Sequence, residues 1–251
     1  DGGGFPMGPL ALTDLIGQDV NFAVTCSVFN AFWQDRRFLP SLLQQELALA
    51  GRLGKKSGHG VYCWPAEVSP ELAVAAVAPE NAAKNIKRDV VTELDDVLLL
   101  ETTGETALAL SVQHQRPVVV YDHAVGDTVV LASAPTNPAS ATDKAVYYFQ
   151  QQGKKVLRIA DYPGLLVWRT VAMLANEALD ALQKGVASAE DIDIAMRLGV
   201  NYPHGPLAWG ESLGWGRVLR LLENLQQHYG EERYRPSALL RQKVLMEMRH
   251  E

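Results

Sequence analysis

The apolar positions change period twice along the chain, and each change marks a change of structure. After a turn forced by Pro6 and Gly8-Pro9, Leu10, Leu12, Leu15 and Ile16 recur at the three-to-four spacing of a helix buried on one side. Gly17 interrupts it. Val20, Ala23, Val24, Val28, Phe29 and Phe32 carry the same spacing from Asp19 to Trp33, which predicts a second helix with a core stripe. Asp35-Arg36-Arg37 reads as a polar loop, and Ser41 as the N-cap of a third helix through Leu42, Leu43, Leu47 and Leu49 to a stop at Gly51. A basic, glycine-rich loop from Gly51 to Gly60 follows and ends in a short apolar, strand-like piece, Val61 to Trp64. Residues 65–86, with Pro65, Pro70, Pro79 and many alanines, read as a linker with a short helix.

Beyond the linker the pattern turns to short, mostly apolar runs: Val97–Glu101, Pro117–Tyr121, Thr128–Ala132 and Lys155–Ile159. Such runs suit strands buried on both faces. Helix-like stretches at Glu105–Gln115 and Ala139–Gln152 alternate with them, predicting a small α/β layer with some parallel pairing. From Pro163 the helical period returns in Leu165, Leu166, Val171, Leu174, Ala175, Ala178 and Leu182, closed by Gly185. Ser188 with Asp191 then makes a capping box for a helix from Ala189 to Leu198.

The two helical regions repeat one another. Phe5-Pro-Met-Gly-Pro-Leu-Ala-Leu-Thr-Asp-Leu-Ile-Gly17 returns as Tyr202-Pro-His-Gly-Pro-Leu-Ala-Trp-Gly-Glu-Ser-Leu-Gly214, so Phe5 maps to Tyr202 at an offset of 197 residues. After a slip of one residue, Arg37-Phe-Leu-Pro-Ser41 matches Arg233-Tyr-Arg-Pro-Ser237. A duplicated unit sets the organisation: a first helical unit over 1–64, a linker over 65–86, an α/β unit over 87–160 and a second helical unit over 161–251. The second copy has a helical lead-in that the first lacks, so the first is expected to be the N-terminally truncated one.

Composition narrows the classes. The 251 residues are 47% apolar, enough for a core, and the net charge of −6 without a Lys/Arg run argues against nucleic acid. Cys26 and Cys63 lie in apolar surroundings without metal spacing and read as reduced core thiols. No apolar run reaches the ~20 residues of a membrane span, and Asp1-Gly-Gly-Gly is no signal segment. A cytoplasmic, metal-free chain is expected.

Little of the chain looks catalytic by itself. In the Gly51–Gly60 loop Lys55 stands before Lys56-Ser57 where a phosphate loop requires glycine, so a solvated basic turn is the plainer reading, with Arg52, Lys55 and Lys56 as weak anion candidates. No G-x-G-x-x-G follows a strand; Thr102-Thr-Gly-Glu-Thr106 carries only Gly104. Asp122-His123 closes a strand, but sequence proposes no partner for any histidine. Asp14 and Glu211 read as exposed helix carboxylates, and Trp33, Trp209 and Trp215 as packing residues.

The Phe5–Asp19 motif, Arg37-Phe-Leu-Pro-Ser41 and Gly51-Arg-Leu-Gly-Lys-Lys-Ser-Gly-His-Gly-Val-Tyr62 closely resemble the helical C-terminal domain of the 3-hydroxyacyl-CoA dehydrogenases, and Pro163-Gly-Leu-Leu-Val-Trp-Arg169 resembles the start of that domain in the second copy. Residues 87–160 resemble a shortened form of the family's nucleotide-binding domain. The resemblance implies all-α domains like the C-terminal domain of 6-phosphogluconate dehydrogenase, flanking a reduced Rossmann-like α/β domain. It places NAD and the catalytic His and Glu in an N-terminal Rossmann domain upstream of Asp1, leaving no catalytic or cofactor-binding residue in this chain. Trp168 stands where the family has a substrate-facing Asn, which implies an inactive second copy. Pro6, Met7 and Gly8 are the substrate-facing candidates, as a rigid proline-glycine edge that can face another domain. The implied partners are an acyl-CoA substrate, the upstream Rossmann domain, and a homodimer or an intrachain pseudo-dimer. A non-catalytic dimerisation or docking module is the alternative.

Overall fold

A computed structural model describes residues 3–65, 85–88, 91–123 and 126–249. Two compact units are present: a larger one of residues 1–5, 73–230 and 236–251, and a smaller one of residues 6–72 and 231–235.

The smaller unit holds α1 (Pro9–Ile16), α2 (Gln18–Ala31) and α3 (Leu42–Leu49). Pro9 opens α1 at a position where its missing N–H costs nothing, and Gly17, at φ 112°, separates α1 from α2. Ser41 is the N-cap of α3, though its side chain makes no capping bond. The 3-10 turn Arg36–Phe38 packs on the 3-10 turn Glu232–Tyr234, its counterpart in the repeat.

In the larger unit six strands line up in sequence order: β1 (Asn85–Arg88), β2 (Val91–Leu94), β3 (Val97–Glu101), β4 (Val118–Tyr121), β5 (Thr128–Ser133) and β6 (Lys155–Arg158). The β3–β4 and β5–β6 pairs are parallel and the other three antiparallel. Each parallel pair is bridged by a helix, α4 (Ala107–His114) for the first and α5 (Ala139–Gln150) for the second, as a parallel crossover requires. The apolar runs are explained by burial on both faces. Leu99, Val119, Leu131 and Val156 pack against Ala141, Ala145 and Phe149 of α5, while Leu98, Val118, Val120 and Ala132 pack with Ala107 and Leu110 of α4. Strands β1 and β2 have no counterpart in the sequence reading, because β1 lies at the edge of the predicted linker; the rest of the linker, 66–84, lies outside the described residues.

The larger unit continues with α6 (Val167–Gln183), α7 (Ala189–Gly199), α8 (Pro206–Leu213), α9 (Trp215–Tyr229) and α10 (Ala238–Glu247). The capping box is present: the Asp191 N–H donates to Ser188 Oγ at 3.1 Å. The repeat survives at atomic level. Helices α8 and α9 start where α1 and α2 do at the same offset, with Gly214 matching Gly17, and α10 follows a 3-10 turn as α3 does. Leu166, expected in the core stripe of α6, is instead exposed at its N-cap.

Sheet and helices in the larger unit are joined by Asp122, which follows β4. Its buried carboxylate accepts the N–H groups of Leu166, Val167 and Trp168 at 2.8, 2.6 and 2.9 Å, the first donors of α6. Those donors have no intrahelical acceptor. Burial pushes the Asp122 carboxyl up from its ordinary value, against the three N–H bonds that favour its charged form. We expect Asp122→Ala to destabilise the larger unit by about 2–4 kcal/mol, the cost of leaving buried helix donors unpaired. Urea unfolding followed by circular dichroism checks this, and a midpoint equal to wild type contradicts it.

Candidate functional site

The second-copy turn Pro203-His204-Gly205 borders a cavity of about 640 Å³, which also has His123, Ile194, Arg197, Trp209 and Leu213 in its walls. His204 stands edge-on to Trp209, with centroids 5.3 Å apart. Phe5 lies tilted against Trp209, with centroids 5.7 Å apart, and meets Tyr202, its repeat counterpart, edge-on at 5.3 Å. Asp193 of α7 accepts the Leu207 and Ala208 N–H groups at 2.8 and 2.9 Å, so its charge is taken up by the N-terminus of α8.

His123 is oriented. Its Nδ1 lies 3.2 Å from Glu101 Oε1, at the C-terminal end of the neighbouring β3, while Glu101 Oε2 accepts from Arg217 of α9 at 2.7 Å. Burial raises the Glu101 carboxyl, but the His123 bond and the Arg217 charge outweigh it and hold the group below its ordinary value. Burial beside that carboxylate pushes the Tyr121 hydroxyl up to about 12. Trp168 does not face the cavity as an exposed side chain: it is buried, with the Arg217 guanidinium 5.3 Å above its ring.

The N-terminus of α4, where a dinucleotide fold would place a pyrophosphate, is occupied by protein. Asp161 accepts from Ala107 and Leu108 N–H at 2.7 and 2.9 Å. Gly104, at φ +95°, lets the β3–α4 loop touch α9: a side chain there would lie 2.6 Å from the Leu221 carbonyl oxygen. The glycine serves packing between loop and helix.

In the first copy Pro6, Met7 and Gly8 form an exposed turn into α1, with Met7 41% exposed. Asp14 corrects the sequence reading. It is 1% exposed and accepts from Gln18 Nε2 at 2.7 Å, from the Val61 and Tyr62 N–H groups at 2.9 Å each, and from Trp64 Nε1 at 3.0 Å. Gly54 and Gly60 pass so close to Asp14 that a side chain on either would overlap it. Gly60 thereby leaves room for the buried carboxylate and Gly54 for the Asp14 backbone, and among the described residues the loop ends in isolated bridges. Its cations have local roles: Arg52 donates to the Gly60 carbonyl at 2.7 Å, Lys56 pairs with Asp19, and Lys55 lies 6.0 Å from the centre of the Trp64 ring. Cys63 is exposed and Cys26 half-buried, so neither is a core thiol; both are free. Trp33, just past the end of α2, is 94% exposed, unlike buried Trp209 and Trp215.

Comparison with known proteins decides the family. The model of the 3-hydroxyacyl-CoA dehydrogenase C-terminal domain matches residues 1–64 and again 164–249, and that of the 3-hydroxybutyryl-CoA dehydrogenase reduced Rossmann-fold domain matches 99–163. The chain belongs to the 3-hydroxyacyl-CoA dehydrogenase family. It is 69% identical over 253 aligned positions to a 3-hydroxyadipyl-CoA dehydrogenase from Escherichia coli, covering 100% of this chain and 53% of that protein. A crystal structure of 3-hydroxybutyryl-CoA dehydrogenase from Escherichia coli K12 superposes with a TM-score of 0.97 at 68% identity, over 100% of this chain and 54% of that one. The (S)-3-hydroxybutyryl-CoA dehydrogenase from Ralstonia eutropha gives a TM-score of 0.51 at 27% identity, over 59% of this chain and 54% of the other. The chain thus spans about half the length of the relatives it matches most fully.

In this 3-hydroxyacyl-CoA dehydrogenase chain no sequence spacing points to Glu101 as the partner of His123 or to Arg217 as the partner of Glu101, since they lie 22 and 94 residues from His123 and meet only when β3, β4 and α9 assemble. Nor does spacing point to Asp14, three of whose donors, Val61, Tyr62 and Trp64, lie 47 to 50 residues away. Burial raises its carboxyl, yet the bonds from Tyr62, Trp64, Gln18 and Val61 together hold it below the ordinary 3.8. A depressed acid stabilises fully above its ordinary value and loses that contribution as pH falls through its lower folded value. Asp14→Asn should therefore destabilise the smaller unit by about 2–4 kcal/mol at pH 7, with the gap to wild type closing below pH 3.8. Urea midpoints at pH 7 and pH 3 measure it, and a gap unchanged by pH contradicts it.

Proposed function

We propose that this chain is the C-terminal portion of an NAD-dependent (S)-3-hydroxyacyl-CoA dehydrogenase, which oxidises its substrate to the 3-ketoacyl-CoA in the cytoplasm. The first-copy turn Pro6-Met7-Gly8 faces the acyl pocket. The observation that carries this is the repeat: the counterparts Pro203, His204 and Gly205 line the 640 Å³ cavity beside an α/β residue, His123. NAD and the catalytic His and Glu belong to an α/β domain upstream of Asp1. The occupied N-terminus of α4 supports that division, because the α/β layer of this chain has placed a carboxylate where a pyrophosphate would sit. Trp168, buried under Arg217, supports an inactive second copy.

In this reading the helical units, over 1–64 and 161–251, follow the C-terminal fold of 6-phosphogluconate dehydrogenase and flank the reduced α/β unit of 87–160. The partners in this reading are an acyl-CoA substrate, the upstream Rossmann domain, and a homodimer or an intrachain pseudo-dimer.

The activity test is NADH absorbance with acetoacetyl-CoA, using the full-length protein and this chain side by side; turnover is expected only in the former. Gly8 makes the site claim testable, since a side chain built on it meets nothing within 4 Å. Gly8→Leu should leave the melting temperature unchanged and lower kcat/KM of the full-length enzyme at least about tenfold, roughly 1.4 kcal/mol of transition-state binding. Unchanged kinetics would remove this turn from the pocket.

A further inference from the structure

The aspartate that caps α8 leaves a cation without its natural partner. Asp193 and Arg197 stand four residues apart on α7, a spacing at which opposite charges on a helix pair. Here both oxygens of Asp193 are taken by the Leu207 and Ala208 N–H groups. Arg197, exposed in the wall of the 640 Å³ cavity, has no ion pair among the described residues, whereas Arg217, Arg220 and Arg241 each meet a glutamate. Glu190, the other acid of the cavity wall, lies about two helical turns from Arg197 on the same helix. His123 supplies a second polar group. The Glu101 carboxylate can only accept, so His123 Nδ1 donates to it, and Nε2 is the ring nitrogen with no partner among the described residues. In the neutral ring that nitrogen accepts, which suits a hydroxyl.

The repeat shows that this polarity is particular to the second copy. At the offset of 197 residues His204 and Ser212 of the cavity wall replace Met7 and Leu15, while Pro203, Gly205 and Ala208 match Pro6, Gly8 and Ala11. The turn is kept and its lining has become polar, which favours a ligand more polar than a plain acyl chain. We propose that the second-copy cavity is a binding site for a short hydroxycarboxylate, with its carboxylate on Arg197, its hydroxyl donating to His123 Nε2 and its carbon chain along Ile194 and Leu213. A guanidinium offers paired N–H donors that match a carboxylate, and the cavity lies within the range of roughly 300–1,000 Å³ of small-molecule sites. Every residue of the wall belongs to the larger unit. The site therefore stands apart from the assignment of NAD and of the acyl pocket to other parts of the protein.

The test is isothermal titration calorimetry of the full-length protein with sodium 3-hydroxybutyrate and, as the same chain without a hydroxyl, sodium butyrate. Saturable binding of 3-hydroxybutyrate is expected. Arg197→Gln, a change at an exposed position, should raise Kd for both anions about tenfold or more through loss of a charge-assisted bond. His123→Gln should weaken 3-hydroxybutyrate by a similar factor and leave butyrate unchanged, a difference that a purely structural role of His123 would not produce. Gly8→Leu in the first copy should leave both affinities as in wild type. Absence of saturable 3-hydroxybutyrate binding overturns the proposal, as does binding that survives Arg197→Gln or is lost in Gly8→Leu. Equal weakening of both anions by His123→Gln overturns the assignment of a hydroxyl-bearing ligand. Because the readout is binding, it holds whether or not the same protein turns over acetoacetyl-CoA, so the two readings fail separately.

Discussion

Three amide donors at the start of α6 must find an acceptor, and the rest of the larger unit is arranged around the carboxylate that provides it. Asp122 follows β4, so its bonds to Leu166, Val167 and Trp168 hold the sheet to the helices at the point where the chain passes from one to the other. An isolated buried carboxylate would be costly; a carboxylate on a helix N-terminus is stabilised by the donors and by the helix dipole together. With α6 so placed, Trp168 is buried beneath Arg217, Arg217 reaches Glu101, and Glu101 orients His123.

The same device recurs. Asp161 caps α4 and Asp193 caps α8, each taking two consecutive N–H groups with its two oxygens. In each case an aspartate distant in sequence fixes a helix start, giving rigidity at a position where other α/β proteins hold an anionic ligand. In the smaller unit Asp14 plays an equivalent part for a loop: Gly54 and Gly60 approach it, and Val61, Tyr62 and Trp64 donate to it. Gly60 of this loop leaves the space that the buried carboxylate needs.

Duplication followed by divergence accounts for the differences between the copies. The backbone plan is preserved, down to the left-handed glycine between paired helices, Gly17 and Gly214. The surface has changed: Asp14 is buried while its counterpart Glu211 is exposed, and the α2 stripe is apolar where α9 carries arginines. Backbone geometry is retained because turn and helix starts depend on proline and glycine at set positions, whereas stripes change with what they touch.

Local pattern was enough for the elements. Helical periodicity, apolar strand runs, Pro9, Ser188 and the glycines act within a few residues, so α1 to α3, β3 to β6 and the helices of the second copy were legible, as was the repeat. The sequence by itself also determined the family, because the repeated proline-glycine motif and the loop after it are contiguous strings. Only tertiary structure decided the roles of Asp14, Asp122, Asp161 and His123, and the exposure of Trp33 and Cys63. Each depends on a partner far along the chain or on the absence of one, and no short-range spacing encodes which distant donor a carboxylate will meet once the strands and helices pack.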